Sequence, residues 1–351
     1  MRKIYVAILI FSMMLLCSCS NINDIYSEFS GAETVTNPFH GPSEPASDTE
    51  KSDIETLPPF SDEVSDVEVS DDFDKYQEGG LHYSNYNIKG GSIIRYDGDD
   101  IEISFDADST DNPFDVEIGY IAFIEGFPQK LSLNGGQKKE LVSMKHIPDT
   151  KTRITLTISP RLPHNIDSKT LRLKIMSIFN PSYTPQGEYT GFGNAHSGQS
   201  FCEYDIEINA MSDSLELSEG NDFKQTAITE KIREEYKIGS NAEEKPTGVY
   251  VKDAKTKEQQ ITLNNGKAEA ELILYGKDEY TYNIYLYKNH RRISFNNCDY
   301  LCCNVKKGFL TSVPLQLNDV IAGDVIYAIA VPSDAETGSM KCRKSVSLLV
   351  R

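Results

Sequence analysis

Apolar and polar residues alternate along much of the chain beyond residue 90. In the runs at 101–105, 154–158 and 171–175, every second side chain is apolar. Because successive side chains of a strand point to opposite faces, a period of two is typical of half-buried β-strands. The same rhythm predicts more strands later in the chain, at 268–272, 282–287, 325–331 and 345–350.

Short turn sequences separate these runs. The chain has Asp-Gly at 97–98, Asn-Gly-Gly at 134–136 and Asn-Gly at 265–266. Residues of these types readily adopt the backbone conformations of tight turns, so each sequence favours a hairpin. Many short strands at close spacing predict an all-β protein built from antiparallel sandwiches.

One run with helical spacing lies between two strand-rich blocks. From Phe223 to Ile232, apolar residues recur every three or four positions. Asp222 precedes the run and is a residue type that caps helix N-termini, and Gly239 supplies a stop. The pattern predicts one short helix between the blocks.

The two strand-rich blocks resemble diverged copies of one unit. Residues 131–134 match 293–296, and residues 179–182 match 330–333. Chance alternation of strand patterns is the alternative explanation for these matches. The final strands of the two blocks have the same spacing of apolar residues. In this match Cys202 corresponds to Cys342, Ile206 to Val346 and Ile208 to Leu348.

The repeat predicts two tandem immunoglobulin-like antiparallel β-sandwiches, at 85–212 and 245–351. Residues 213–244 join them as a linker that includes the helix. The hypothesis requires Cys202 and Cys342 to occupy equivalent positions in the two cores.

Charge is concentrated in one part of the chain. The 351 residues include 53 acidic and 35 basic side chains, for a net charge of -18. Residues 20–80 hold 16 acidic residues against two lysines, a net of -14, and the first 19 residues carry +2, so residues 81–351 carry only -6. Low hydrophobicity with high net charge predicts a disordered acidic tether at 19–84. Capture of cations or of a basic partner by this segment is the alternative, and the acidity argues against a nucleic-acid partner.

The N-terminus has the features of an export signal. Arg2 and Lys3 precede an apolar run at 4–16, which is shorter than the roughly 20 residues that span a bilayer. The next motif, Leu-Cys-Ser-Cys at 16–19, resembles the lipobox of bacterial lipoproteins, with an aliphatic residue and then a small one before the acceptor cysteine. The resemblance implies that residues 1–18 are a signal peptide and that Cys19 carries lipid.

Two acyl chains give a durable anchor, whereas one binds a membrane only reversibly. The resemblance therefore implies a protein held on the extracytoplasmic face of the cell membrane, with the lipid bilayer as a partner through Cys19. An ordinary cleaved signal peptide with an unmodified cysteine is the alternative.

Five cysteines follow the tether. Because the first block has only Cys202, its counterpart Cys342 needs no partner, and we predict buried free thiols. A disulfide from Cys342 to one of Cys298, Cys302 and Cys303 is the alternative. The spacing of these last three does not match that of zinc ligands, so the cysteines predict no metal site, and the sequence predicts no cofactor.

The most informative local feature is a long loop before the final strand of the first block. From 181 to 202 this loop is 11 residues longer than its counterpart from 332 to 342, and it carries aromatic and polar residues on a glycine-rich backbone. Long loops on a rigid sandwich are where binding residues collect. The ligand-binding candidates in this loop are Tyr183, Tyr189, Phe192, Asn194 and His196.

A second segment is expected at the same end of the first sandwich. It contributes Asp106, Asp108 and Asp115, which together with the loop predict a site for a ligand or for Ca²⁺. The spacing does not match an EF-hand, which needs a glycine at its sixth position and a closing glutamate. In the alternative interpretation, the aromatic residues fold over the sandwich end and the aspartates are turn residues.

The sequence predicts a membrane-anchored cell-surface lipoprotein whose immunoglobulin-like domains bind a protein or glycan partner. The alternative is a structural or accessory subunit of a cell-envelope complex. No Gly-x-Ser-x-Gly, phosphate-loop or His-Glu-x-x-His motif is present, so we do not predict an enzyme. An exported enzyme assembled from scattered residues is the third alternative.

Overall fold

Strands dominate the structure, a computed structural model, as the alternation predicts. The signal peptide and the tether up to residue 81, including Cys19, lie outside the described residues. All described residues belong to one compact unit of the chain. The structure describes residues 82–88, 93–109, 115–163, 170–185, 192, 195–210, 212–264, 267–333 and 341–351.

The first sandwich is built from ten strands. They are β1 (His82–Ile88), β2 (Ile93–Tyr96), β3 (Ile101–Asp108), β4 (Val116–Ile124), β5 (Phe127–Leu133), β6 (Leu141–His146), β7 (Lys151–Ser159), β8 (Arg161–Leu162), β9 (Thr170–Phe179) and β10 (Gly198–Ile208). One sheet has the order β1-β3-β7-β5. Strand β5 then passes into the other sheet, with the order β5-β4-β9-β10-β2, in which β2 runs parallel to β10.

The linker and the second sandwich contribute the remaining elements. They are β11 (Asp213–Ser214), β12 (Glu219–Gly220), β13 (Lys224–Ala227), α1 (Glu230–Tyr236), a 3₁₀ helix (Ala242–Glu244), β14 (Gly248–Asp253), β15 (Leu263–Asn264), β16 (Lys267–Tyr275), β17 (Thr281–Lys288), β18 (Arg291–Ile293), β19 (Tyr300–Asn304), β20 (Phe309–Leu317), β21 (Val325–Pro332), β22 (Arg343–Lys344) and β23 (Leu348–Leu349). The sheets have the orders β12-β19-β17-β21-β22 and β13-β20-β16-β14. The prediction of an all-β, immunoglobulin-like fold is confirmed.

Alternation within the strands produces the two sandwich cores. In β3, Ile103 and Phe105 are fully buried while Glu102 is exposed. Burying one side chain of this size contributes about 1.5–3 kcal/mol relative to leaving it in water. The sandwich cores therefore follow directly from the period-two pattern.

Four strands depart from alternation because they are buried on both faces. All eight residues of β21 are buried, and so are six consecutive residues of β17. The half-buried interpretation of 282–287 and 325–331 is therefore wrong. One face of β17 and β21 lies in the second sandwich core, and their other face packs against β4 and β9 of the first sandwich, which are the other two doubly buried strands.

We call this shared apolar contact the inter-sandwich layer. It is rich in aromatic rings: Phe123 stacks on Tyr285 with 6.1 Å between ring centroids, and Phe127 meets Tyr300 edge-on at 5.6 Å. The Tyr285 hydroxyl donates a hydrogen bond of 2.8 Å to the carbonyl oxygen of Gly126. Its buried members are Ile121, Phe123, Met176, Ile178, Phe192, Tyr285, Tyr287, Tyr300, Val325, Tyr327, Ile329, Val331 and Cys342.

The helix is shorter than its apolar spacing predicts. It begins at Glu230, with Thr229 as the N-cap whose hydroxyl accepts from the Ile232 amide. Asp222 is not the cap, because residues 224–227 form β13 and pair with β20 instead. Pairing with β20 therefore makes the first half of the predicted helix a β-strand. The remaining helix packs on the outer face of the β13-β20-β16-β14 sheet.

The match between the two closing strands is wrong. Cys202 packs in the core of the first sandwich, whereas Cys342 packs in the inter-sandwich layer. Ile206 is fully buried, but its proposed counterpart Val346 is 45% exposed. The physical reason is that β10 is continuous, whereas the predicted strand at 345–350 is interrupted between β22 and β23.

The prediction that each turn sequence forms a hairpin is only partly confirmed. The strands that flank 265–266 pair as a hairpin, as predicted. The Asp-Gly turn at 97–98 does not form one, because β2 and β3 belong to different sheets. Two hairpins that the sequence analysis missed turn at Glu125-Gly126 and Asn289-His290, where both residues of each pair have positive φ.

We expect Phe123→Ala to lower the free energy of unfolding by about 3–5 kcal/mol, as a buried phenylalanine in a core does. The physical reason is that Phe123 is fully buried in the inter-sandwich layer. Chemical denaturation measures the change, and Glu102→Ala, at an exposed position, is the matched control. A loss below about 1 kcal/mol for Phe123→Ala would show that the layer does not stabilise the fold.

Candidate interaction site

The two predicted binding segments share one end of the first sandwich. Ile118, at the start of β4, lies opposite Phe179 at the end of β9. Asn180 fixes this end through two hydrogen bonds with Glu117. The backbone amide of Asn180 donates to the carbonyl oxygen of Glu117, and the side-chain oxygen of Asn180 accepts from the backbone amide of Glu117. The end of the connection from β3 to β4 therefore lies beside the start of the loop from β9 to β10.

The described aromatic residues of the long loop face inward. Phe192 and His196 are each 2% exposed, and Tyr183 is half-buried with its ring edge-on to both. Tyr189 and Asn194 lie outside the described residues. Phe192 and His196 pack against the second sandwich, so a ligand-binding role for them stays a prediction and requires this contact to open.

The three aspartates differ in their surroundings. The Asp106 carboxylate forms ion pairs with Arg153 at 3.0 Å and with Lys151 at 3.6 Å. Asp108 is half-buried opposite Lys151 in the β3–β7 register, and Asp115 is exposed. Within the described ranges, no group of three or more histidine, cysteine or acidic residues is arranged to hold a metal ion.

A buried polar cluster lies where the long loop meets the second sandwich. The Ser347 hydroxyl is 3.1 Å from His196 Nδ1 and accepts a hydrogen bond of 2.8 Å from Lys344 Nζ. Lys344 Nζ also lies 4.3 Å from the centre of the Tyr327 ring, whose hydroxyl is 3.2 Å from His290 Nδ1. We call these five residues the histidine–lysine cluster.

The cluster strongly disfavours positive charge. Burial lowers the pKa of Lys344 to about 7. Burial, with the nearby Lys344 and His290, lowers the pKa of His196 to about 3, and burial also lowers the pKa of His290. Ser347 and His196 are almost inaccessible to solvent, so the arrangement binds the loop to the second sandwich rather than offering a nucleophile to a substrate.

The five cysteines after the tether are all free, and four of them are buried. The prediction of free thiols is confirmed, and the alternative disulfide from Cys342 is wrong. Burial raises the pKa of Cys202 and of Cys303 to about 12, so both stay as unreactive thiols at neutral pH. Cys302 is half-buried, and burial raises its pKa as well.

A groove of about 480 Å³ opens beside the inter-sandwich layer. The first sandwich contributes Lys130 and Arg161, the linker contributes residues 214–217, and the second sandwich contributes Arg292. Arg292 forms an ion pair with Glu140 across the two sandwiches, with 3.0 Å between Nη2 and Oε1. The groove thus exists only because three parts of the chain are held in a fixed arrangement.

Hydrogen bonds hold the groove wall at Arg161. The side chain of Gln129 accepts from the Arg161 amide at 2.8 Å and donates to its carbonyl oxygen at 3.0 Å. The guanidinium donates a bond of 2.9 Å to the carbonyl oxygen of Ser214 in the linker. These contacts tie β8 to the linker and orient the cation.

Sequence reasoning missed both the groove and most of the histidine–lysine cluster. Lys344 and Ser347 lie in the predicted closing strand of the second block, and the sequence analysis gives His290 no role. No local signal identifies the whole cluster, because His290 lies 37 positions from Tyr327 and His196 lies 151 positions from Ser347 in the sequence. The groove residues are equally scattered, from Lys130 to Arg292.

No known family model and no curated protein sequence matches the chain. Similar solved structures include red sea bream transglutaminase (9% identity, TM-score 0.18), over 78% of this chain and 31% of that one. Others are the E. coli chaperone DraB (8% identity, TM-score 0.21), over 78% and 96%, and the Ca²⁺-stabilised adhesin with which an Antarctic bacterium binds ice (10% identity, TM-score 0.18), over 78% and 50%. The chain spans about a third of the transglutaminase and half of the adhesin. TM-scores this low support no argument about function.

No helix among the described residues is both long enough and apolar enough to cross a lipid bilayer.

We expect the folded protein to lose stability as the pH falls from 6.5 towards 3. In that range the unfolded chain binds a proton at His196 that the folded chain does not bind, because the folded pKa is about 3. The loss attributable to this residue is roughly 1.4 kcal/mol for each pH unit. Urea denaturation at several pH values measures it.

The matched variant is His196→Asn, which keeps a hydrogen-bonding side chain but does not titrate. Carboxylates titrate equally in both proteins, so the difference between the two pH profiles isolates His196. Identical slopes below pH 6.5 would contradict the burial of a neutral imidazole at this position.

Proposed function

We propose that the protein is a cell-surface lipoprotein, anchored in the membrane through Cys19, that binds a protein partner in the groove between its two sandwiches. In this proposal the acidic segment at 19–81, which precedes β1, is a tether that holds the paired sandwiches away from the lipid surface. A random-coil chain of sixty residues has a typical reach on the order of 40–45 Å, and self-repulsion of like charges extends such a chain.

The observation that carries this proposal is the inter-sandwich layer. Domains within one chain usually move relative to each other unless their interface is large and apolar. Here the layer is apolar and aromatic, and the Arg292–Glu140 ion pair and the histidine–lysine cluster lie beside it. The groove is consequently preorganised, which lowers the entropy that a partner loses on binding.

The character of the groove favours a protein over a glycan. The residues that line it include no aromatic side chain on which a sugar face would stack. They instead offer charged groups and the linker backbone at 214–217, which suit an extended polypeptide. Its volume of about 480 Å³ is in the usual range of ligand sites.

We expect a photo-cross-linking residue at position 216 to form adducts with a surface partner on intact cells that produce the protein. Glu216 is exposed on the linker and lines the groove. The same residue at position 224 is the control, because Lys224 is exposed on β13 outside the groove. Immunoblotting of the protein measures the adducts.

Equal adducts at both positions, or none at position 216, would overturn binding in the groove. Adducts from position 224 alone would favour the alternative of a structural or accessory subunit that contacts its complex through a sandwich face.

We expect Cys19→Ala to abolish incorporation of a fatty-acid label and to release the protein from the membrane fraction. The lipobox resemblance assigns the acyl acceptor to Cys19, and Cys17 follows the bulky Leu16, which suits the cleavage site poorly. Cys17→Ala is therefore the matched control and should keep the label. Unchanged labelling of Cys19→Ala would leave the lipoprotein hypothesis without support.

A further inference from the structure

We infer that the groove binds an acidic segment of polypeptide, with Lys130 and Arg161 pairing with its carboxylates. The inference rests on the proposed function and names the chemical class of the partner.

Three cations and two carboxylates line the groove. Arg292 and Glu140 pair with each other, so they neutralise one another. Lys130 and Arg161 form no ion pair with any described residue, and only Glu216 remains to oppose them. The groove therefore keeps a local excess of positive charge, in a chain whose net charge is -18.

Arg161 is preorganised to bind a carboxylate. Its backbone is bonded to Gln129, and one donor of its guanidinium is bonded to the Ser214 carbonyl oxygen. A guanidinium has five N–H donors in a planar fork, so the other donors are free to bind a carboxylate in a bidentate manner. An oriented guanidinium loses less side-chain entropy on binding than a mobile one.

Lys130 supplies the second cation at the groove. It is exposed on β5, where the strand leaves β4 and joins β7. An exposed, mobile ammonium contributes attraction over a distance and speeds association more than it adds contact energy. Together the two cations favour a ligand with at least two acidic groups.

The overall charge decides which anionic ligand is suitable. A long polyanion such as a nucleic acid would be repelled by a protein with a net charge of -18. A short acidic segment carries few charges and reaches the two cations without facing the rest of the acidic surface. The linker backbone at 214–217 adds hydrogen-bonding groups that an extended peptide matches.

We assign the groove to an acidic segment of the partner protein. The competing occupant is the acidic part of this chain itself, where seven carboxylates lie within 62–74. A tethered segment acts at a high effective concentration and competes with an external ligand. The experiment below separates the two sources.

The probe is a hexaglutamate peptide, with hexaglutamine as its neutral counterpart, and binding to the full mature chain is measured by fluorescence anisotropy at low and high salt. We expect hexaglutamate alone to bind, and Lys130→Glu to weaken binding by about fivefold to tenfold at low salt. Arg161→Glu should weaken it at least as much. Lys224→Glu makes the same charge change on β13 and should leave binding within about twofold.

Lys130 is exposed and forms no ion pair with the described residues, so Lys130→Glu tests the inference even if Arg161→Glu disturbs the linker. Equal binding of the two peptides would overturn the inference. Equal losses from Lys130→Glu and Lys224→Glu would also overturn it, because the effect would then be net charge and not the groove.

A further variant, in which the seven carboxylates at 62–74 become amides, identifies the source. Stronger hexaglutamate binding by this variant than by the wild type shows that the tether occupies the groove in the intact chain. Unchanged binding assigns the groove to an external partner. The first result would overturn an external partner as the occupant of the groove, and the second supports it.

Failure of this inference is distinguishable from failure of the proposed function. A partner that cross-links at position 216, combined with no preference for hexaglutamate, overturns only the acidic class. Binding of hexaglutamate without any surface adduct overturns the proposed function and leaves the chemistry of the groove in place.

Discussion

The rest of the structure depends on apolar packing between the two sandwiches. Each sandwich has its own core, but β4 and β9 of the first and β17 and β21 of the second have a second apolar face. An apolar face this large cannot remain in water without cost, and each face covers the other. The order of layers, the path of the long loop and the position of the groove all follow from that contact.

Polar groups near the contact are positioned by the packing. The Tyr285 hydroxyl bonds to the Gly126 carbonyl oxygen at the turn of the β4–β5 hairpin, so a ring of one sandwich fixes a turn of the other. The histidine–lysine cluster has no acidic member. Burial there lowers the pKa of Lys344, His196 and His290, so the neutral form of each side chain is favoured. A buried polar group without full hydrogen bonding costs about 1–3 kcal/mol. The cluster is therefore a place where the apolar packing has to offset an unfavourable environment.

The same contact joins the long loop to the molecule's interior and leaves the groove open at a different surface. Phe192 and His196 of the loop pack against the second sandwich. Lys130, Arg161 and Arg292 meet at the edge of the contact and line a concave, charged groove. A rigid junction with an exposed groove is a common location for a binding site, because it needs no reorganisation when a partner arrives.

The sequence by itself determined the strands and the fold class. Alternation at 101–105 and 154–158 places the core residues of β3 and β7, because a strand's faces are defined by its own local geometry. It also predicted free thiols, although the match of Cys342 with the unpaired Cys202 on which that prediction rested is wrong, because the two cysteines pack in different cores. The uninterrupted apolar run at 325–331 carried a signal of burial on both faces, which the period-two interpretation overlooked.

Only the tertiary structure decided what the second apolar face contacts and what the long loop does. The loop's aromatic residues have the composition of a binding surface, yet their burial depends on a sheet that lies more than 80 positions later in the chain. Pairing with β20 likewise decided that residues 224–227 form a strand and not the start of the helix. The groove combines side chains from Lys130 to Arg292, whose proximity no local pattern encodes. Local geometry thus fixes which side chains share a face, whereas contacts between distant segments fix which face becomes a site.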